Sequence, residues 1–376
     1  MESVDLSSLP EHVRRGPLFE HQRALGATFY DDYGRLWTAG FGDVDREYRA
    51  IREGCGLWDV SPLSKWHVTG PDTVAALDRL TTRPMAGEEP GQVRYVLILD
   101  EQGHIVDEGT RYLVGPEEAW FVGNEDRPAL AAHIARVLEE FDVSLANRTD
   151  ELACLAIQGP EAPALLASLV DVDLASLRYY RCIAGISAAG VPAMISRTGF
   201  SGELGYELFV AERAEAVWEA IVAAGATPIG LDAVEIARVE VGFVVADEDY
   251  VSFESDPYEV GLGPFIDLDG HGFVGRDAAA AASQAPHREL MTLVFDGDRR
   301  PAALAAVTVD DRVVGEVRSV ERSPRFGMLG LATMDADAAL DGTFVQADGC
   351  RAIVRPRPLD AQDRPRLDPS APVRAG

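Results

Sequence analysis

Hydrophobic and polar positions change period repeatedly along this chain, from a helical three-to-four spacing to a strand-like alternation and back, which predicts a mixed α+β protein. The pattern predicts helices over 44–54, 72–80, 126–140, 161–169, 212–224 and 231–246, the second opened by Pro71 and Asp72. An apolar strand at 95–99, a turn at 100–103 and a return strand at 104–112 predict a hairpin. Beyond about residue 285 the pattern becomes strands set apart by Gly, Asp and Pro, at 289–295, 302–308, 312–319, 327–334 and 343–354, as in a small barrel. Prolines 356, 358, 365, 369 and 372 stand among charges and predict a mobile tail over 357–376.

Three segments place charge against this pattern. In the helix at 231–246, Leu231, Val234, Arg238, Val241 and Val245 share one face, and the opposite stripe of Ile236, Val239 and Phe243 is apolar too. Arg238 is therefore a guanidinium in a buried element and needs a partner, either Glu240 on the same helix or a carbonyl or anionic group of a ligand. The segment Arg197-Thr-Gly-Phe-Ser-Gly-Glu-Leu-Gly-Tyr-Glu-Leu-Phe-Val210 ends in strand alternation, with Tyr206, Leu208 and Val210 on one face and Glu207 and Phe209 on the other. Glycines 199, 202 and 205 leave its approach clear, so the backbone can turn tightly or admit a flat ligand. A carboxylate beside Phe209 suits a planar heterocycle with two adjacent N–H donors; the plainer reading is a hairpin with Glu207 in solvent. The acidic pair Asp107-Glu108 lies on the return strand, so its side chains face opposite ways and only one can enter a site.

Composition narrows the partners. The 376 residues suffice for two or three domains with real cores. A formal charge of -28, with Lys65 the only lysine, argues against nucleic acid or an anionic membrane as partner. The N-terminus has no basic-then-apolar signal pattern and no apolar run spans a bilayer, so the expectation is a cytoplasmic protein. Cys55, Cys154, Cys182 and Cys350 are far apart and read as reduced, buried thiols. Seven scattered histidines give no metal pattern, and neither a P-loop nor a dinucleotide-binding Gly-x-Gly-x-x-Gly is present.

The segment beginning at Arg197 resembles the Arg-Thr-Gly-Tyr-Thr-Gly-Glu-x-Gly-Phe-Glu signature of the glycine-cleavage T-protein (aminomethyltransferase) superfamily. Other blocks follow in that family's order: 21–27, Gly56-Leu-Trp-Asp-Val-Ser61, Val68-Thr-Gly70, Gly103-His-Ile-Val-Asp-Glu108, Ala156-Ile-Gln-Gly-Pro160, Ala237-Arg-Val-Glu-Val-Gly242, Pro257-Tyr-Glu-Val-Gly-Leu-Gly263 and Phe273-Val-Gly-Arg276. The resemblance implies a three-domain cloverleaf around a folate site. Its expected units are 1–47 plus 145–250, then 48–144 with part of 251–284, then a C-terminal β-barrel at 285–356. It further implies tetrahydrofolate as one-carbon acceptor, Glu207 gripping the pterin's amino and ring N–H groups, and Arg238 supporting the far side. Tyr95, Tyr112, Phe200 and Thr110 complete the folate-lining set. Glu108 stands where the family normally has a catalytic aspartate, with Asp107 as the alternative.

Departures from the family pattern bear on the donor. Pro62-Leu63 replaces His-Met, the segment from Tyr30 to Phe41 replaces a Phe-Ala-Gly-Trp region, Phe200 lacks the usual tyrosine hydroxyl, and Glu108 replaces aspartate. With the pterin side retained and the donor side altered, the chain resembles the folate-dependent demethylase branch, whose members take a methyl group from a methylated amine, sulfonium or ether donor. Trp37, Trp58, Trp66 and Tyr30 are candidate faces for a cationic donor, or ordinary core aromatics. The alternatives are a genuine aminomethyltransferase, which needs a lipoyl carrier protein, and a folate-binding accessory protein without transferase chemistry. Against the accessory reading, residues 239–250 lack the cysteine of that branch's motif.

Overall fold

The computed structural model describes residues 3–6, 9–10, 12–124, 127–285 and 287–359, so the expected tail lies almost wholly outside the described residues. Three sheet systems carry the fold. The first has six strands in the order Cys182–Ala188, Val191–Ser196, Gly205–Val210, Ala153–Gln158, Gly56–Asp59 and Thr227–Pro228. The second has five, ordered Val93–Leu99, Ile105–Gly115, Glu118–Gly123, Ser64–Thr69 and Ser144–Asn147. The third is a closed barrel of Arg288–Phe295, Gly327–Asp335, Arg312–Ser323, Ala306–Val309, Phe344–Ala347 and Cys350–Arg355. The α+β cloverleaf with a C-terminal barrel is therefore the architecture, although sheet membership moves two expected boundaries. Gly56–Asp59 pairs with Ala153–Gln158 in the first sheet, and Ser144–Asn147 pairs with Ser64–Thr69 in the second.

Strand alternation is realised as the sequence implies. Tyr206, Leu208 and Val210 are buried in one core with Leu155, Ile157 and Trp218, while Phe209 faces the other core with Trp58, Tyr112 and Ile236. Where the three units meet, one cluster draws Leu97, Leu99 and Ile105 from the five-stranded sheet, Val239 from the helix Leu231–Val241 and Leu290, Leu329 and Leu331 from the barrel. Tyr250, Val260 and Leu262, from the connecting segment, fill the same junction. The segment thus belongs to the interface between units rather than to one of them.

Several elements are shorter than their pattern. The helix expected over 231–246 ends at Val241, because Gly242 turns left-handed at φ 77° and the N–H groups of Gly242 and Phe243 both return to the Arg238 carbonyl. The helix expected at 161–169 covers only Ala162–Leu166, and the strand expected at 302–308 begins at Ala306. The single strand expected at 343–354 is a hairpin. Asp348 and Gly349 take φ 47° and 69°, the two left-handed residues of a type I′ turn, for which Asp-Gly is a strong signal. All four cysteines are free and buried. No helix among the described residues is long and apolar enough to cross a membrane.

Candidate functional site

One strand carries the centre of the site. Glu108, Thr110 and Tyr112 alternate along Ile105–Gly115 and so share a face over about 13 Å. At its far end the Tyr112 hydroxyl donates to Glu207 Oε2 at 3.2 Å, and Thr110 Oγ1 donates to the Tyr112 oxygen at 3.0 Å. The Thr198 hydroxyl donates to the same Glu207 oxygen and is itself 2.6 Å from Ser196 Oγ. Glu207 Oε1 has no donor among the described residues. Burial raises the Glu207 pKa, and the bonds from Thr198 and Tyr112 oppose that rise. Glu207 is therefore a half-buried carboxylate with one oxygen satisfied and the other able to accept, not the solvent-facing residue of a plain hairpin. Phe209 is covered by Tyr112, their ring centres 5.4 Å apart and edge to face, so it supports the site instead of lining it.

At the other end, Asp107 and Glu108 leave the strand in opposite directions yet share one side chain. Asn124 Nδ2 donates to Asp107 Oδ1 at 2.8 Å and to Glu108 Oε1 at 2.9 Å. Tyr95 and Tyr250 also donate to Glu108. Burial raises the pKa of Glu108 against these hydrogen bonds. Burial and the neighbouring Glu108 charge push Asp107 up to about 7, so near neutrality the pair carries less than its full two charges. Glu108 faces the tyrosines and Asp107 the side lined by Arg127, Leu130 and Phe253. Of the two, Glu108 is the one on the ladder leading to Glu207.

Arg238 is not on that ladder. It is fully buried, and its five N–H groups are spent within the chain: Nε on Glu235 at 2.7 Å, Nη1 on Asp249 at 2.5 Å and the Phe243 carbonyl at 3.2 Å, and Nη2 on Glu248 and Ser319 at 2.7 Å each. This corrects both expectations for it, since no donor remains for a ligand and Glu240 is engaged elsewhere. Glu240 takes Arg52 and Ser323 at 2.5 Å and the Tyr48 hydroxyl at 2.6 Å. The Ala237-Arg-Val-Glu-Val-Gly242 motif thus bolts its helix to the barrel through Ser319 and Ser323, and to the helix Val44–Glu53 through Arg52 and Tyr48.

The glycines beside Glu207 also have an internal occupant. A Cβ at Gly199 or Gly205 would fall 2.1 or 2.3 Å from the Gln158 amide, which accepts from Ser201 Oγ at 2.9 Å and donates to the carbonyls of Thr198 and Tyr206 at 3.4 Å. The bare backbone admits a side chain from the Ala156-Ile-Gln-Gly-Pro160 block and holds the turn below Glu207. Gly205→Ala is expected to displace Gln158 and cost about 1–3 kcal/mol of stability in urea denaturation. The cost should shrink in a Gln158→Ala background, and equal costs in both backgrounds would separate the two sites.

Phe200 is half-buried and packs on Phe243, ring centres 5.4 Å apart. The aromatic residues proposed for a cationic donor do not converge. Trp37 and Trp58 form a tilted pair in one core, Trp66 lies in another, and the Tyr30 hydroxyl bonds Asp232 at 2.6 Å. The altered Pro62-Leu63 sits in a turn held by Lys65, whose Nζ donates to the carbonyls of Ser61 and Leu63 at 2.7 and 2.8 Å. Burial lowers that lysine's pKa to about 8. Asn124, Tyr250 and Thr198 join the Glu108 and Glu207 carboxylates without being expected there, and Tyr179 and Tyr180, ring against ring, lie near enough to Glu207 to feel its charge. Thr198 and the Tyr179-Tyr180 pair had a signal, in a signature block and an aromatic doublet; Asn124 and Tyr250 had none. No group of three metal-ligating side chains occurs among the described residues.

Comparison with known proteins gives the family. A family model described as the GCVT N-terminal domain matches residues 18–270. An aminomethyltransferase from Streptomyces coelicolor is 36% identical over 343 residues, covering 88% of this chain and 92% of that one. A probable aminomethyltransferase from Halobacterium salinarum is 33% identical over 344 residues, covering 89% and 94%. The crystal structure of glycine cleavage system aminomethyltransferase T from Bartonella henselae superposes with a TM-score of 0.84 at 22% identity, over 92% of this chain and 98% of that one, which shows the shared fold. With its motif blocks, cloverleaf and full-length relatives in agreement, this chain belongs to the glycine-cleavage T-protein (aminomethyltransferase) superfamily of one-carbon transferases.

Proposed function

We propose that the protein is an aminomethyltransferase that passes a one-carbon unit from a lipoyl carrier protein to tetrahydrofolate. The observation that carries this reading is the pair of carboxylates on one ladder, Glu207 with an oxygen free to accept and Glu108 held by Asn124. Tetrahydrofolate supplies the ring nitrogen that takes up the carbon. Glu207 accepts the amino and N–H donors of a pterin edge and fixes its orientation. Glu108, aimed by Asn124, Tyr95 and Tyr250, places negative charge beside the reacting nitrogen and receives its proton. Tyr95 and Thr110 lie between the two, and Tyr112 orients Glu207.

An aminomethyl donor is favoured over a methylated amine, sulfonium or ether by two things. Relatives named aminomethyltransferase align over nearly the whole chain, and the tryptophans that would have formed a cation-binding cage are buried core residues, Trp37 and Trp58 in one cluster and Trp66 in another. The test supplies tetrahydrofolate with an aminomethyl-loaded lipoyl carrier protein, and in parallel with a panel of methylated donors. Methylene-tetrahydrofolate and ammonia from the carrier alone are expected. Methyl-tetrahydrofolate from a methylated donor would instead establish a demethylase. Glu207→Gln is expected to weaken tetrahydrofolate binding about 30- to 100-fold by calorimetric titration, because the amide replaces an acceptor with a donor facing donors. Affinity within threefold of wild type would remove Glu207 from the pterin site.

A further inference from the structure

Acidic residues outnumber basic ones 62 to 34, yet several guanidinium groups have no ion pair to a carboxylate among the described residues. Arg83 is such a group. It is half-buried, and its one hydrogen bond among the described residues runs from Nη1 to the Tyr95 carbonyl at 3.2 Å. The nearby acid Glu88 is already shared by Arg94 and by Arg111, the latter at 3.0 Å, and the Asp78 carboxylate accepts the Met85 N–H. Burial and Arg94 both weigh against the Arg83 charge, while Glu88, Tyr180 and Asp267 lie close enough to offset part of that cost without pairing with it.

The backbone around Arg83 is pinned. Thr82 Oγ1 donates to the Phe265 carbonyl at 2.9 Å and accepts from the Leu97 N–H at 3.0 Å, and the Arg83 carbonyl takes Arg111 Nη1 at 2.8 Å. Its guanidinium lies against Tyr95, which bonds Glu108, and near Tyr180, which senses the charge of Glu207. The site is therefore polar along its length, with carboxylates at Glu207 and Glu108 and, beside Tyr95 and near Tyr180, a guanidinium that no carboxylate pairs among the described residues.

We propose that Arg83 binds a carboxylate in the glutamate tail of the folate substrate, so that the site reads both ends of the molecule by charge. The inference rests on the folate reading above and adds to it the residue that recognises the tail. A ligand whose amino-bearing ring sits on Glu207 presents its acidic end away from both site carboxylates, where Arg83 neutralises it and recovers the counter-charge it lacks within the chain.

The test compares tetrahydrofolate with a tetrahydropterin that has no p-aminobenzoylglutamate tail, titrated into wild type and Arg83→Gln. Wild type is expected to prefer tetrahydrofolate about tenfold or more, and Arg83→Gln to lose about tenfold for tetrahydrofolate while binding the tail-less pterin unchanged. Arg83→Lys should recover part of the loss, and raising salt should erode only the tail-dependent preference. Equal weakening of both ligands, or of neither, overturns the role of Arg83. If neither ligand binds wild type, the folate reading itself fails, which is a separate outcome.

Discussion

Glu108→Gln is expected to lower turnover about a hundred- to a thousandfold while leaving tetrahydrofolate affinity within about threefold. Glutamine preserves the shape of the side chain, and its carbonyl can still accept the 2.9 Å bond from Asn124. What it lacks is the charge and the ability to take a proton, both of which matter only as the carbon moves, so the loss falls on kcat and not on binding. Asp107→Asn is the control. Asp107 touches the same Asn124 but faces the opposite side of the strand, and its variant should change turnover much less. If Asp107→Asn were the damaging substitution and Glu108→Gln were not, the catalytic role would pass to the neighbour. Glu108→Asp retracts the carboxylate by one methylene from Asn124 and the two tyrosines, and an intermediate rate is expected from the lost alignment.

Arg238→Met is expected to destabilise the protein by about 3–5 kcal/mol in urea denaturation. Asp249 is completely buried and has no other ion pair among the described residues, and Glu235 and Glu248 lose the same partner. The Ser319 link to the barrel is lost as well, so the damage reaches the contact between units. Adding Asp249→Asn should recover a substantial part, because it removes the stranded charge. Arg238→Lys should recover little, since one ammonium cannot serve five acceptors spread around a planar fork. A ligand-binding arginine would behave in the opposite way, with weakened tetrahydrofolate binding at nearly unchanged stability.

The contrast between Glu207 and Arg238 shows how far each motif could be read. Both are charges within apolar periodicity, and both looked like ligand contacts. For Glu207 the strand alternation was enough to put it on a face with Phe209 and away from Tyr206, and the structure keeps that face. For Arg238, Glu235 and the Phe243 carbonyl are local partners, but the others are Glu248, Asp249 and Ser319, the last reached only once the barrel docks. Gly199 and Gly205 teach the same lesson, because their neighbour Gln158 is about 40 residues away in sequence and adjacent only through strand pairing.

By itself, the sequence determined the element types, the alternation that sets Glu207 with Phe209 and turns Asp107 away from Glu108, the barrel as a separate run of strands and, through its motif blocks, the family. These depend on side-chain period and local turn chemistry, which act over a few residues. Tertiary structure alone decided that Asn124 joins Asp107 to Glu108, that Arg238 and Glu240 are bolts, that Trp66 lies in a different core from Trp37 and Trp58 and that Arg83 has no carboxylate partner among the described residues. Each of these depends on which charges and donors from distant segments are brought within hydrogen-bonding range. A buried charge takes whatever partner packing delivers, and linear spacing does not encode that delivery.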